Sequence, residues 1–311
     1  MGVVASDGRR YAFPNNSFLS SGRGAFAPRR AAVVSQLCCL RSGSKLRVSV
    51  LGGGSRVFAI AAPSAPPVFA PDGRVVYASG TILRFVDGTT LHARGLPKGA
   101  RIAFLAVAPG KPLAVAAAVI WGGTHEALYV ISKERSRRVP VSFDALSERP
   151  QPVWSPRGDS FAFVRAGTYR GGDIYLSDRE ASKPIRLTHS TRALGPVWSP
   201  TGTKIAFTQR DGFKPGRRNG IPEVYVNDLH GRQRRLTHTR ALPPPVHGIP
   251  GSYTPPGSRA GAWSPDGRWV AIVSNGALAV VPAAGGAARI LRRFQLPIDQ
   301  IGLGALAWPP R

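Results

Sequence analysis

Hydrophobic positions in this chain come in short runs broken by Pro, Gly, Ser and Asp, and no segment sustains the apolar period of a helix. The runs pair. PVWSPRGDSFAFV, residues 152–164, sets Val153-Trp154 and Phe161-Ala162-Phe163-Val164 on either side of Ser155-Pro156-Arg157-Gly158. Ser first, Pro second and Gly fourth is the residue order of a type I turn. The flanking runs are rich in aromatic and β-branched residues, so the stretch predicts two strands joined as a hairpin. Pro152 stands just ahead of the first strand, where a missing N–H does little harm. PVWSPTGTKIAFT, residues 196–208, repeats the same pattern forty-four residues later.

The device recurs along the whole chain. Its turn prolines are Pro28, Pro71, Pro109, Pro156, Pro200, Pro265 and Pro309, at intervals of 43, 38, 47, 44, 65 and 44 residues. Units of about 40 to 50 residues are of propeller-blade length. The one long interval holds LPPPVHGIPGSYTPPGSRAG, residues 242–261, which reads as a Pro/Gly-rich loop inserted before a strand. Each unit has room for two further strands: Asp173–Ser177 and Pro184–Thr188 in one, Glu223–Asn227 and Arg234–Thr237 in the next. Four strands per repeat is a blade. The fold class is therefore all-β, a single β-propeller domain over residues 1–311.

Six intervals make six complete units. ALAWPPR at the C-terminus would begin another, and the N-terminus supplies a turn and strand at Ser6–Phe13 and a further short run at Ser17–Ser20. A seventh blade built from both termini would close the ring and hide its edges. The alternative is six blades with residues 1–23 as an N-terminal arm.

The pattern P-x-W-S-P-x-G-x-x-x-A-F, followed by an I-Y or V-Y strand and R-L-T, resembles the TolB-type, WD40-like propeller repeat. Residues 152–188 and 196–237 carry it fully; the unit at 261–273 keeps W-S-P-D-G but has Ala271-Ile272 and no R-L-T; the units at Pro28, Pro71 and Pro109 keep only the turn and the strand spacing. The resemblance implies a non-enzymatic bacterial scaffold of the periplasm or cell envelope that favours six blades and binds a protein partner. The start MGVVASDGRRYAF lacks the apolar core of a signal peptide. Arg29-Arg30 with AAVVSQLCCL imitates one, but fits better as the second strand of the first blade. No run of eighteen apolar residues is present to span a membrane.

Charge alters the picture more than composition does. Lys and Arg number 42 against 16 Asp and Glu, a net charge of +26, so an acidic protein face or a polyanion is the expected neighbour. Fields of this kind raise association rates by roughly 10 to 1000-fold. The basic residues are dispersed and not interleaved with aromatics as in a nucleic-acid groove. The adjacent Cys38 and Cys39 point to opposite faces of a strand and are read as buried small apolar residues.

Catalytic signatures are absent: no G-x-S-x-G, no H-E-x-x-H and no G-x-x-x-x-G-K-[ST] occurs. Ser42-Gly43-Ser44-Lys45 matches S-x-x-K but is placed in a connecting turn, where that motif has no helix to open. RLTHSTRAL and RLTHTRAL put His189 and His238 just after the outermost strand, in the connection leading inward to the next blade. Such connections gather on one face around the channel. The candidate partner-binding residues are accordingly Arg149, Gln151, His189, Arg192, His238 and Arg240. Three readings of these positions stand: solvated loop residues repeated with the unit, a cationic mouth for an anionic segment, or a metal site of the sort propeller sugar lyases build from channel histidines. No adjacent carboxylate set completes the last. Trp154, Trp198, Trp263 and Trp308 recur at one place per unit and are read as wedges between blades.

The expectation is a monomeric, non-enzymatic propeller, without cofactor or metal, that docks an acidic protein or peptide on its channel face. A lyase-like carbohydrate enzyme using the channel histidines, or a polyanion binder, are the alternatives.

Overall fold

The computed structural model describes residues 54–143, 151–166, 171–211, 221–239, 258–274 and 277–293, together with five N-terminal strands. Among these residues there is no α-helix, and so no helix long and apolar enough to cross a membrane. Strands β1 (Gly2–Val4) and β2 (Arg10–Ala12) pair with each other, Val3 opposite Tyr11. The next twenty-four strands fall into six antiparallel units of four. Blade 1 is β3 (Ala25–Phe26), β4 (Ala32–Leu37), β5 (Ser44–Val50) and β6 (Ser55–Ile60). Blade 2 is β7 (Val68–Phe69), β8 (Val75–Ser79), β9 (Ile82–Phe85) and β10 (Thr90–His92). Blade 3 is β11 (Arg101–Val107), β12 (Ala114–Trp121), β13 (His125–Ser132) and β14 (Ser136–Arg138). Blade 4 is β15 (Val153–Trp154), β16 (Ser160–Ala166), β17 (Gly172–Asp178) and β18 (Ile185–Arg186). Blade 5 is β19 (Ala193–Trp198), β20 (Ile205–Asp211), β21 (Ile221–Asn227) and β22 (Gln233–Arg235). Blade 6 is β23 (Ser258–Trp263), β24 (Trp269–Ser274), β25 (Ala277–Pro282) and β26 (Arg289–Arg293).

Five of the expected units and the one carrying Pro28 are thus blades. β4 lies where the basic-then-apolar stretch after Arg30 was assigned to the second strand of the first blade. Lys45 lies within β5, opposite Leu37 and Ala59, rather than in a connecting turn. Cys38, Cys39, Ser17–Ser20, the 242–257 part of the inserted loop and the C-terminal ALAWPPR lie outside the described residues.

No blade has a core of its own. A four-stranded sheet has two faces, and the five apolar clusters each lie between consecutive blades: Val34 and Leu46 of blade 1 with Val75 and Tyr77 of blade 2, Leu83 and Phe85 with Ile102 and Ile131, Leu128 and Val130 with Phe161 and Phe163, Ile174 and Leu187 with Ile205 and Phe207, Val224 and Val226 with Val270 and Ile272. Strand alternation sorts the A-F motif accordingly. Phe161 and Phe163 face blade 3, while Ala162 between them joins the cluster that holds Trp198 of blade 5. Ala206 does the same opposite Trp263.

The tryptophans do more than wedge. Trp154 Nε1 donates to Ala106 O, Trp198 Nε1 to Val153 O and Trp263 Nε1 to Val197 O, each at 2.9 Å. Each indole therefore satisfies a carbonyl of the preceding blade's innermost strand. The turns interlock as well. Gly158, Gly202 and Gly267 have φ of 72°, 72° and 70°, and each N–H closes the turn onto the Ser three residues earlier at 2.9–3.0 Å. A Cβ at Gly158 would stand 2.2 Å from Pro109 O, and one at Gly202 3.5 Å from Pro156 Cδ, so the turn glycines seat against the preceding blade's turn proline. Within the first of these turns the Ser155 hydroxyl donates to Asp159 Oδ1 at 2.6 Å and, with the Ser160 hydroxyl adding to it, holds that carboxyl below the usual aspartate range.

The fourth strands end sooner than expected, because R-L-T leaves the ladder. Leu187 N still donates to Ile174 O at 2.8 Å, but Ile174 N turns to the Thr188 hydroxyl at 2.9 Å. Thr188 and Arg186 then close on the buried Asp173 carboxylate, at 3.1 and 2.6 Å. Blade 5 repeats this with Glu223, which accepts from Arg235 Nη2 at 2.8 Å and from the Thr237 hydroxyl, while Val224 N donates to Thr237 Oγ1 at 2.9 Å. A side-chain clamp on a buried acid replaces the last rungs of each outer strand.

Three outcomes follow from these contacts. Trp198→Phe keeps a smaller aromatic ring between the blades but removes the indole N–H that the Val153 carbonyl accepts, and denaturant unfolding should show a loss of about 1–3 kcal/mol, against about 3–5 for Trp198→Ala. Glu223→Gln removes the buried carboxylate of the clamp while Arg235, 35% exposed, keeps Asp211 at 3.2 Å, and it should cost about 1–3 kcal/mol in the same assay, more than Asp72→Asn at the exposed Arg74 pair. The depressed Asp159 carboxyl adds stability that is complete above the unfolded aspartate range, about pH 4, and is lost as pH falls through its lower folded value. Ser155→Ala should therefore flatten the stability–pH curve below about pH 4, as read from melting temperatures across an acid series.

Candidate functional site

The register places the expected face. Gly172 pairs with both Ala166 and Ala193, and Ala193 with Gln209. The ends of the β16–β17 and β20–β21 hairpins therefore share one face with the connection from β18 into β19, and the Ser-Pro turns lie at the opposite end of the strands. The Gly172–Ala193 pair also joins blades 4 and 5 into one continuous sheet.

The connection 187–192 is anchored from beneath by the clamp. Asp173 Oδ1 accepts from Thr191 N at 3.0 Å, holding Thr191 at a φ of 56°. A β-branched residue rarely adopts that conformation unless its surroundings impose it. His189, one residue after the clamp threonine, is exposed, and Arg192 is half-buried. A Cβ on Gly171 would lie 3.0 Å from Arg192 Cα, so glycine there lets the hairpin end and the connection touch. Arg192 O accepts from Arg210 N at 3.3 Å. In the next blade Glu223 Oε1 accepts from Thr239 N at 2.8 Å, and His238 is again exposed one residue past the clamp threonine.

Gln151 is exposed immediately before Pro152, at the entry to β15. Arg149 and Arg240 lie outside the described residues. Four of the six candidates are thus placed: Gln151, His189, Arg192 and His238, all on inter-blade connections, with His189 and Arg192 sharing one and His238 in the equivalent position one blade on.

Three further groups at this face escaped sequence reasoning. Arg165, at the end of β16, donates from Nε to Ser142 O at 3.1 Å and lies 6.0 Å from the Tyr175 ring centre, bridging blade 4 to the connection that precedes it. Asp211, at the end of β20, accepts from Tyr225 OH at 2.6 Å and pairs with Arg235 at 3.2 Å. Burial and that hydrogen bond push the Tyr225 phenol well above the ordinary tyrosine range. Trp121 and His125 stack across the β12–β13 hairpin end, ring centres 5.5 Å apart. The acids themselves left a trace that went unused: Asp173 and Glu223 each precede the I-Y or V-Y pair and stand thirteen and twelve residues before the R of R-L-T.

The carboxylates that anchor the connections bearing the repeated histidines are the clamp acids Asp173 and Glu223. Both are buried, each held by an arginine, a threonine hydroxyl and a backbone N–H. Among the described residues no three His, Cys, Asp or Glu side chains are grouped to hold a metal ion. The two anchored connections offer the His189 and His238 imidazoles to solvent, with the half-buried Arg192 beside the first.

No family model matches the chain, and no curated protein sequence does. Among solved structures it is similar to oligogalacturonate lyase from Vibrio parahaemolyticus, at 10% identity over 94% of this chain and 84% of that one, with a TM-score of 0.61; an oligogalacturonate lyase in complex with manganese gives the same figures. Hydrazine synthase of Kuenenia stuttgartiensis is similar at 15% identity over 88% and 80%, with a TM-score of 0.53. TolB proteins, the family whose repeat the sequence resembles, are also among the similar structures: the one from Agrobacterium tumefaciens has 19% identity over 73% of this chain and 79% of that one, with a TM-score of 0.46. At these identities the likeness shows the fold, and the fold is a β-propeller.

Proposed function

We propose that this propeller is a non-enzymatic scaffold that docks a protein or peptide, acidic by preference, on the face bearing the inter-blade connections. The observation that carries the reading is the pair of anchored connections. Asp173 and Glu223 spend their charge on clamps beneath the connections that carry His189, Arg192 and His238. A fixed cationic rim suits recognition of an acidic segment, because little ordering remains to be done on binding. The net charge of +26 adds long-range attraction. The TolB-type repeat points to the same class of role. Arg149 and Arg240 belong to this proposed rim through their positions in the repeat.

A second reading is favoured by one observation, the repeated exposed histidines in a fold shared with oligogalacturonate lyases. Under it the chain would cleave acidic oligosaccharides by elimination with a bound divalent ion, and ultraviolet absorbance of unsaturated products on oligogalacturonate with added manganese would reveal it.

The deciding experiment compares wild type with an Arg192→Glu, Arg240→Glu variant of unchanged melting temperature. Affinity capture from lysate at about 0.15 M salt, where fields beyond ~8 Å are screened, should retain a defined protein. Its purified form should then bind the variant at least about tenfold more weakly. Equal retention of nucleic acid by both forms, released together by salt, would overturn the docking face in favour of diffuse charge.

A further inference from the structure

The outermost strand of a blade is an edge that its own sheet leaves unpaired, and natural sheets blunt such edges by shortness and by charge. Five blades here do so. β10, β14, β18 and β22 are two or three residues long, and β26, R-I-L-R-R, carries Arg289, Arg292 and Arg293. β6 has neither protection. It runs six residues, S-R-V-F-A-I, with one charge and no proline. Val57 is 49% exposed, and Phe58 and Ile60 are half-buried.

Beside this edge lies a groove of about 430 Å³ between blades 1 and 2, lined by Val57, Phe58 and Ile60 from one side and by Arg84, Phe85 and Thr90 from the other. None of its lining residues is acidic. The nearby Asp87 is engaged by Arg74 at 3.1 Å. Arg84 Nε is buried in the wall with no hydrogen-bond partner among the described residues. A buried guanidinium N–H left unpaired is costly, and a carboxylate is the group that best satisfies it.

We infer that β6 takes an extended peptide, carrying apolar residues and one acidic residue on the same face, as a fifth strand of blade 1. The backbone of every second β6 residue turns its N–H and C=O away from β5 and offers the ladder. Side chains on one face of the added strand enter the groove against Phe58 and Ile60, and the carboxylate on that same face reaches Arg84. A second copy of this chain fits poorly, since it would bring another +26 body and another Arg56 to the same edge. This surface lies on the rim, apart from the connections of blades 4 and 5, and is independent of the docking face proposed above.

The probe is the peptide Val-Thr-Glu-Thr-Val-Thr, with fluorescein on its N-terminus and an amidated C-terminus, titrated by anisotropy at about 0.15 M salt and followed by amide hydrogen exchange. Saturable binding with slowed exchange confined to residues 55–60 and the groove wall is expected. Val57→Asp should weaken it at least about tenfold, Arg84→Gln about fivefold, and Arg192→Glu not at all, with each variant's melting temperature confirming its fold. A Lys-for-Glu peptide should not bind. The inference fails if the probe does not bind at millimolar concentration, if Val57→Asp binds as wild type does, or if protection appears elsewhere. It also fails if sedimentation shows a wild-type dimer that Val57→Asp dissociates, since β6 would then be covered by a second copy.

Discussion

A four-stranded twisted sheet has two faces and no interior, and everything else in this protein depends on that constraint. Each face must be buried against the next blade, so the apolar clusters lie between blades and none lies within one. Burial alone is indifferent to sliding of one sheet over another. The indole bonds remove that freedom. Trp154, Trp198 and Trp263 each reach a backbone carbonyl one blade back, a directional contact that admits one angular setting. The alanine between two large residues on β16 and β20 leaves room for the incoming ring, and the turn glycine seats on the preceding turn's proline. The repeated motif is the two halves of one joint, each copy holding a socket for its successor and a plug for its predecessor.

The same economy governs charge. Acids are scarce, and many of those described hold a neighbouring group in place. Asp173 and Glu223 close the clamps, Asp211 holds Tyr225 and Arg235, Asp159 serves its turn, and Asp72 and Asp87 bracket Arg74. Lys and Arg outnumber Asp and Glu by 42 to 16, so little acid is left to balance the basic side chains once the clamps are closed. The docking role proposed for the inter-blade connections draws on that imbalance.

Residues with the same sequence signature serve different ends according to which blade follows them. Arg137 and Arg234, at matching places on β14 and β22, each donate to a backbone carbonyl of the next blade, at Glu180 and Ala284. The matching position on β18 is Ile185, 70% exposed, where no such reach is made. Arg138, Arg186 and Arg235 also occupy one register position, opposite Tyr129, Tyr175 and Tyr225. Only the last two meet an acid, because blade 3 has Ala127 where blades 4 and 5 have Asp173 and Glu223.

Turn order, strand pairing and blade spacing were legible in the sequence because each is local: a Ser-Pro-x-Gly turn closes on itself, and a hairpin is specified within a dozen residues. The all-β class, the four strands per unit and the placement of the histidines on the connections followed from that alone. The lengths of the outer strands were misjudged, since nothing local says that the R-L-T threonine will leave the ladder to bind an acid thirteen or more residues away. The clamps, the indole-to-carbonyl joints and the groove beside β6 were decided only by the tertiary structure. Each needs groups from two strands or two blades to meet, and periodicity along one chain records which residues are apolar but not which face of which neighbour they will touch.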